Sequence, residues 1–286
     1  MTDSRSSVHP LLTDTVLSQL SDLCQRAGEG ILSIYHQAGD IVVEHKDDHS
    51  PLTQADKLSH HILVEGLRQI APDVPILSEE GKLPSFDERR QWCDYWLVDP
   101  LDGTKEFVSR NGEFTVNVAL VSEGTPIMGV VHSPVLACTY AGGRSLGATK
   151  IIKGEVCAIH TRALVNEGTR RSSIAVVASR RHGVEALAAI ELALASCYPT
   201  VYNKAMGSSL KFCLIAEGQA DLYIRMAPTS EWDTAAAQAI LEAAGGAVLN
   251  PLFMPLRYNQ QESVLNPHFV AVGDLNENWR KIISLQ

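Results

Sequence analysis

The stretch "WLVDPLDGTKEF" (residues 96–107) sets an apolar run against two aspartates, Asp99 and Asp102, with Pro100 between them and Gly103-Thr104 behind. Tyr95, Trp96, Leu97 and Val98 read as a buried strand, so Asp99 falls at its mouth. Pro100 holds Asp99 extended, and Gly103 permits a tight turn that returns Asp102 beside it. A single aspartate at a strand exit is ordinarily a turn or a helix cap. Two close carboxylates in a partly dry site must instead share a proton or bind a cation.

More acids decide between those alternatives. The preceding strand, "VPILSEEG" (74–81), ends in Glu79 and Glu80, so consecutive strand ends present carboxylates. Asp233 opens an Ala-rich helix, "WDTAAAQAILEAAGG" (232–246), stopped by Gly245-Gly246. Oxygen ligands without Cys or His favour magnesium over zinc.

The rest of the chain supplies a frame. Val16, Leu20, Leu23, Ala27 and Ile31 recur at helical steps, with Thr13 or Asp14 as cap. A short strand and a polar turn lead to a second helix, "ADKLSHHILVEGLRQI" (55–70), stopped by Pro72 and Pro75, with His60-His61 on its surface. Residues 114–143 read as consecutive antiparallel strands, with turns at Glu123-Gly124 and Ser133-Pro134. Beyond a Gly-, Thr-, Lys- and Arg-rich region, a strand at 172–179 is followed by helices at 183–196 and 207–220, and a strand at 221–226. We expect an α+β N-terminal subdomain over 1–173 and a C-terminal α/β subdomain over 174–286.

Bulk properties exclude several classes. A chain of 286 residues, 45% apolar and 20% charged, is an ordinary globular composition with enough apolar side chains for a core. The formal charge of −9 opposes nucleic-acid binding, so an anionic substrate needs locally organised cations. Six scattered cysteines without CxxC spacing read as reduced thiols in a cytoplasmic protein. No apolar segment is long enough to span a membrane, which leaves peripheral attachment to the cytoplasmic face of the inner membrane open. "HKDDH" (45–49) lacks a third zinc ligand and reads as a polar loop. "GGRSLGATK" (142–150) lacks the Lys-Ser/Thr of a P-loop.

Taken together, "SEEG" (78–81), "DPLDGT" (99–104) and "EWDTAAAQAILEAAGG" (231–246) resemble the magnesium-dependent, lithium-sensitive phosphatase superfamily that includes inositol monophosphatase. The resemblance spans about residues 10–275 and implies a layered αβαβα fold, mixed α/β and α+β, with two or three Mg²⁺ ions. It makes Glu79, Asp99 and the Leu101 carbonyl ligands of one ion, and Asp99, Asp102 and Asp233 ligands of a second. A third, weaker ion would lean on Glu79. Asp56, in "PLTQAD" (51–56), and Thr104 match positions that orient the attacking water, with Glu79 assisting.

The C-terminal half is most similar to the bacterial 3'(2'),5'-bisphosphate nucleotidase branch. Ser179, Arg180 and His182 match its Ser-Arg-x-His, and Ser208, Ser209 and Lys211 match its Ser-x-x-Lys region, while Arg181 departs from the small residue expected there. Arg225 stands where inositol-specific relatives carry an acid, and an arginine suits a second phosphate or a planar base. Asp102, Gly103, Thr104 and Asp233 complete the substrate contacts that the resemblance implies. The expected reaction is hydrolysis of the 3'-phosphate of adenosine 3',5'-bisphosphate, with some activity on its sulfated precursor, removing a by-product of sulfate activation. Inositol monophosphatase or fructose-1,6-bisphosphatase activity is the alternative, and the chain is read as a monomer or homodimer. An aspartyl-phosphate mechanism is disfavoured, because its nucleophile and acid stand two residues apart and these aspartates do not.

Overall fold

The computed structural model describes residues 9–37, 42–45, 51–166, 169–178 and 184–283. Helix α1 (Asp14–Tyr35) is capped by Thr13, whose hydroxyl accepts from the Val16 amide. A two-stranded ribbon, β1 (Glu44–His45) and β2 (Pro51–Leu52), leads into α2 (Gln54–Ile70). His49, in the polar stretch between β1 and β2, lies outside the described residues.

β3 (Ile76–Ser78), the short α3 (Phe86–Arg89) and β4 (Asp94–Asp102) follow, and α4 (Thr104–Val108) precedes the meander β5 (Thr115–Ser122), β6 (Thr125–Ser133) and β7 (Cys138–Gly143). Glu123 and Gly124 both take positive φ, which suits the tight turn between β5 and β6. β8 (Gly147–Ile152) and β9 (Glu155–Ala158) complete a seven-stranded sheet in sequential order from β3 to β9, with only β3 and β4 parallel. "GGRSLGATK" is therefore the β7–β8 hairpin.

A small ribbon, β10 (Val165–Asn166) and β11 (Thr169–Arg170), leads into the second half. There β12 (Ser173–Ala178), α5 (Val184–Cys197), β13 (Thr200–Ala205), α6 (Leu210–Ala216) and β14 (Leu222–Arg225) alternate. A 3₁₀ turn (Glu231–Asp233), α7 (Ala235–Ala243), β15 (Ala247–Leu249), β16 (Phe269–Val272) and α8 (Trp279–Ile282) finish the chain. The five-stranded sheet runs β13-β12-β14-β16-β15, parallel at β13, β12 and β14 and antiparallel at β16.

Strand periodicity explains the layering. On β4, Trp96 and Val98 join the core beneath α1 and α2, whereas Tyr95 and Leu97 join the core that holds α6 and α7. The latter core also takes Val177, Tyr223, Phe269 and Ala271 from the second sheet. The other face of that sheet, with Ile174, Val176, Leu222 and Val270, packs on α5 and α8. The result is the expected αβαβα sandwich, with α6 and α7 between the two sheets. Among the described residues no helix is long and apolar enough to cross a membrane, and all six cysteines are free.

The last turn of the second half hangs on Asp274, which is 5% exposed and accepts from the amides of Leu164 (2.6 Å), Val165 (2.8 Å) and Asn276 (2.9 Å). Burial raises its pKa, but those amides outweigh burial and hold it below the usual range. The folded state therefore binds its proton more weakly than the unfolded chain, so the stabilisation is present above about pH 4 and lost as pH falls through the depressed value. Asp274→Asn should cost about 2–3 kcal/mol in urea unfolding at pH 7. The difference from wild type should shrink below pH 4, and equal stability at pH 7 would refute the assignment.

Candidate active site

Asp99, the next odd position after Leu97 on β4, aims its carboxylate towards the middle layer, where the chain turns into α7. It is 1% exposed, and its Oδ1 accepts from the Leu101 amide at 3.0 Å. Its neighbour on β5 is Asn117, while Asp102 faces Thr115, so β4 fits an extra residue between the two aspartates. A β-bulge at Pro100-Leu101, rather than a turn closed by Gly103, thus sets the spacing of Asp99 and Asp102. Gly103, at φ 94°, instead starts α4 in the left-handed region, where a side chain would be strained.

Three carboxylates converge here. Ligand-competent oxygens of Glu79, at the end of β3, Asp99, on β4, and Asp233, in the 3₁₀ turn before α7, all lie within 4.8 Å of one another. Asp233 is oriented by its own turn: its Oδ2 accepts from the Ser230 amide at 2.9 Å, and its backbone carbonyl accepts from Ser209 Oγ at 2.6 Å. Burial, reinforced by the neighbouring acids, pushes the carboxyls of Asp99 and Asp233 well above the carboxylate range. A close cluster of hard oxygen donors fits a hard divalent cation.

Asp102 stands slightly apart from that trio. Its Oδ2 accepts from the Ser209 amide (2.6 Å) and from Asn117 Nδ2 at 3.3 Å, and lies 2.8 Å from the Ser209 hydroxyl, whose single hydrogen it shares with the Asp233 carbonyl. Its orientation is therefore fixed by α6 and β5, with Oδ1 left for a ligand. The Leu101 carbonyl meets the Thr104 hydroxyl at 3.4 Å.

Thr104 also donates to Asp56 Oδ1 at 3.3 Å, although α2 and α4 are far apart in sequence. Asp56 is 1% exposed, and its Oδ2 accepts from the amide (2.7 Å) and hydroxyl (2.5 Å) of Thr53 in a capping box. The helix-cap role and the site role thus use different oxygens of one carboxylate.

Beside the acids a cleft of about 150 Å³ is lined by Asp102, Ser208, Lys211, Tyr223, Arg225 and Asp233, among others. Lys211 is 6% exposed, donates to the Ser208 carbonyl at 2.5 Å and lies 5.2 Å over the Tyr223 ring. Burial lowers its pKa to about 8, with Asp102 opposing the shift and Arg225 adding to it. Arg225 donates to the carbonyls of Ala227 and Pro228, each at 3.0 Å, which fixes the guanidinium at the rim. Ser179, Arg180 and His182 lie outside the described residues.

The sequence reading missed several supports. Asn117 bonds both Asp102 and Ser209, and its signal was a lone amide inside the apolar strand "TVNVALV". Ser59, on the buried face of α2, donates to the Pro100 carbonyl at 2.7 Å and holds the bulge. His60 is a correction: rather than a surface residue, it is half-buried and lies 2.9 Å from Ser78 Oγ, directly before Glu79.

A model described as the inositol monophosphatase family matches residues 12–283. The 3'(2'),5'-bisphosphate nucleotidase CysQ of Escherichia coli K12 is 44% identical over 254 residues, covering 89% of this chain and 98% of its own length. The protein of the same name in Haemophilus influenzae is 35% identical over 271 residues, covering 95% of this chain and 97% of its own length. A crystal structure of CysQ from Bacteroides thetaiotaomicron, a bacterial member of the inositol monophosphatase family, superposes with a TM-score of 0.77 at 40% identity, covering 92% of this chain and 98% of that one. An inositol monophosphatase from Thermotoga maritima shares the fold at 23% identity, with a TM-score of 0.67 and coverage of 91% and 92%.

Proposed function

The chain belongs to the inositol monophosphatase family, and on that premise we propose that it is a magnesium-dependent 3'(2'),5'-bisphosphate nucleotidase, converting adenosine 3',5'-bisphosphate to AMP and phosphate. The carboxylate trio beside a cleft with two cations supports this reading most directly. A phosphomonoester dianion needs charge neutralisation at one phosphate, and a second phosphate needs a fixed cation nearby.

Glu79, Asp99, Asp102, Asp233 and the Leu101 carbonyl would hold two or three Mg²⁺ ions. Bound magnesium supplies Lewis acidity and charge neutralisation at the phosphoryl group. Thr104 directs its hydroxyl hydrogen at Asp56 Oδ1, which leaves its lone pairs to accept from and aim a water. Asp56 Oδ1 is then placed to take up a proton through Thr104. Lys211 and Arg225 would contact the second phosphate, with Ser179, Arg180 and His182 as further partners. The sulfated precursor, 3'-phosphoadenylyl sulfate, carries the same 3'-phosphate and would be a second substrate.

Phosphate release with Mg²⁺ tests the reading on adenosine 3',5'-bisphosphate, inositol 1-phosphate and fructose 1,6-bisphosphate. The nucleotide should lead inositol 1-phosphate by about 100-fold in kcat/KM, since charge-assisted bonds to a second phosphate amount to roughly 2–3 kcal/mol. A chelator should abolish release from all three. Preference for inositol phosphate would replace this proposal with the polyol alternative.

A further inference from the structure

Asp233 approaches Glu79 and Asp99 from a distant part of the chain, so something must fix the two parts in register against their mutual repulsion. The segment Tyr258–Asn266 wraps the turn that carries Asp233. Asn259 donates its amide to Glu231 Oε1 at 2.8 Å, and Glu231 donates its own amide to the Val264 carbonyl at 2.8 Å. Asn266 donates through Nδ2 to the Ser230 carbonyl at 2.7 Å. The Tyr258 hydroxyl bonds Thr234 Oγ1 at 3.0 Å and Gln238 Oε1 at 2.7 Å.

One side chain from the first half grips that strap. Arg89, the last residue of α3, is 1% exposed and lies in sequence between Glu79, which follows β3, and Asp99 on β4. Its Nη1 donates to Asn259 Oδ1 at 2.5 Å, and its Nη2 donates to the carbonyls of Gln261 (3.0 Å) and Glu262. Asn259 Nδ2 returns a bond to the Arg89 carbonyl at 2.6 Å. Asn259 holds φ 56°, a left-handed conformation that favours Asn or Gly, so the backbone is shaped for this reciprocal contact.

We propose that Arg89 and Asn259 are positioning residues that lock Asp233 into the carboxylate trio and thereby set metal affinity; this rests on the metal-dependent reading above. The guanidinium is buried with both Nη groups held in a rigid fork and its Nε without a partner among the described residues, so the lock is specific in geometry and rests on the Nη bonds. Without it, the turn carrying Asp233 relaxes away from the two acids, and each cation meets a looser site. The contact acts through the strap and the turn and touches no substrate.

Mn²⁺ binding, followed by electron paramagnetic resonance and calorimetry on the full chain, tests the lock directly. Arg89→Met should weaken Mn²⁺ binding about tenfold, the size expected for residues that orient metal ligands. Asn259→Gly keeps the left-handed backbone and the amide bond to Glu231 while deleting both side-chain bonds, and should weaken binding in the same direction by a smaller factor. The Mg²⁺ concentration for half-maximal activity should rise with the Mn²⁺ constant, while saturating Mg²⁺ restores kcat and leaves the KM for nucleotide unchanged. Asp274→Asn serves as a destabilised control that should bind Mn²⁺ as wild type does. Should Arg89→Met fail to fold, Arg89→Lys and Asn259→Gly decide the matter. Wild-type affinity in the folded variants, or an equal loss in Asp274→Asn, would overturn the lock. Failure of the wild-type protein to bind Mn²⁺ at all would instead overturn the metal reading, and the lock with it.

Discussion

Asp99→Asn should lower magnesium-dependent turnover by about 10³-fold or more, because losing a metal-coordinating charge removes several kcal/mol of stabilisation and each 1.36 kcal/mol is a factor of ten. The same substitution should raise the melting temperature of the metal-free protein. In chelator, a fully buried carboxylate sits beside Glu79, Asp102 and Asp233, and asparagine keeps the Oδ1 acceptor for the Leu101 amide while deleting the charge. The pH dependence follows the same sign. Folded Asp99 keeps its proton to higher pH than an unfolded aspartate, which ionises near pH 4, so the metal-free wild type loses stability as pH rises from there towards the raised folded value. The variant should show a shallower fall. Turnover comparable with wild type, or a metal-free variant less stable than wild type at neutral pH, would contradict the role assigned to Asp99.

Gly129→Ala should destabilise the fold by about 3 kcal/mol or more, the upper range for overpacking, even though alanine ordinarily suits a strand better than glycine. A Cβ at Gly129 on β6 would stand 2.2 Å from the Ala236 carbonyl oxygen and 2.8 Å from its Cα, and neither is a flexible side chain that can swing away. The whole of α7 would have to lift off the first sheet, carrying with it the turn that holds Asp233. Urea unfolding measures the loss, and the Mg²⁺ requirement of the residual activity should rise. A stability change under about 1 kcal/mol, well below the overpacking range, would mean that the helix and sheet approach less closely than described.

Much of this architecture was legible in the chain. The periodic residues of α1, the apolar run of β4 and the turn residues Glu123 and Gly124 are local signals, and each gave an element close to its observed bounds. Among the strands that the local pattern did not give, β8, β9 and β13 lie at or near sheet edges, where exposure removes the alternation of apolar and polar side chains, whereas β16 is short and buried throughout and so shows no alternation either. Their pairing is decided by the strand next to them.

The site divides along the same line. Glu79, Asp99, Asp102 and Asp233 could be picked out as candidate ligands from acids placed at the ends of buried elements, since charge there is costly unless something compensates it. Their relative placement could not. The bulge at Pro100-Leu101 exists because β5 holds Asn117 and Thr115 opposite the two aspartates, and Asp102 is aimed by Ser209 across the interface with α6. The sequence by itself determined which donors are present and what charge they carry, because those follow from residue type and local pattern. Only the tertiary structure decided which oxygen of Asp56 meets Thr104, how Asp233 reaches the strand ends, and that Arg89 holds it there, because these depend on contacts between residues remote in the chain, which no local periodicity encodes.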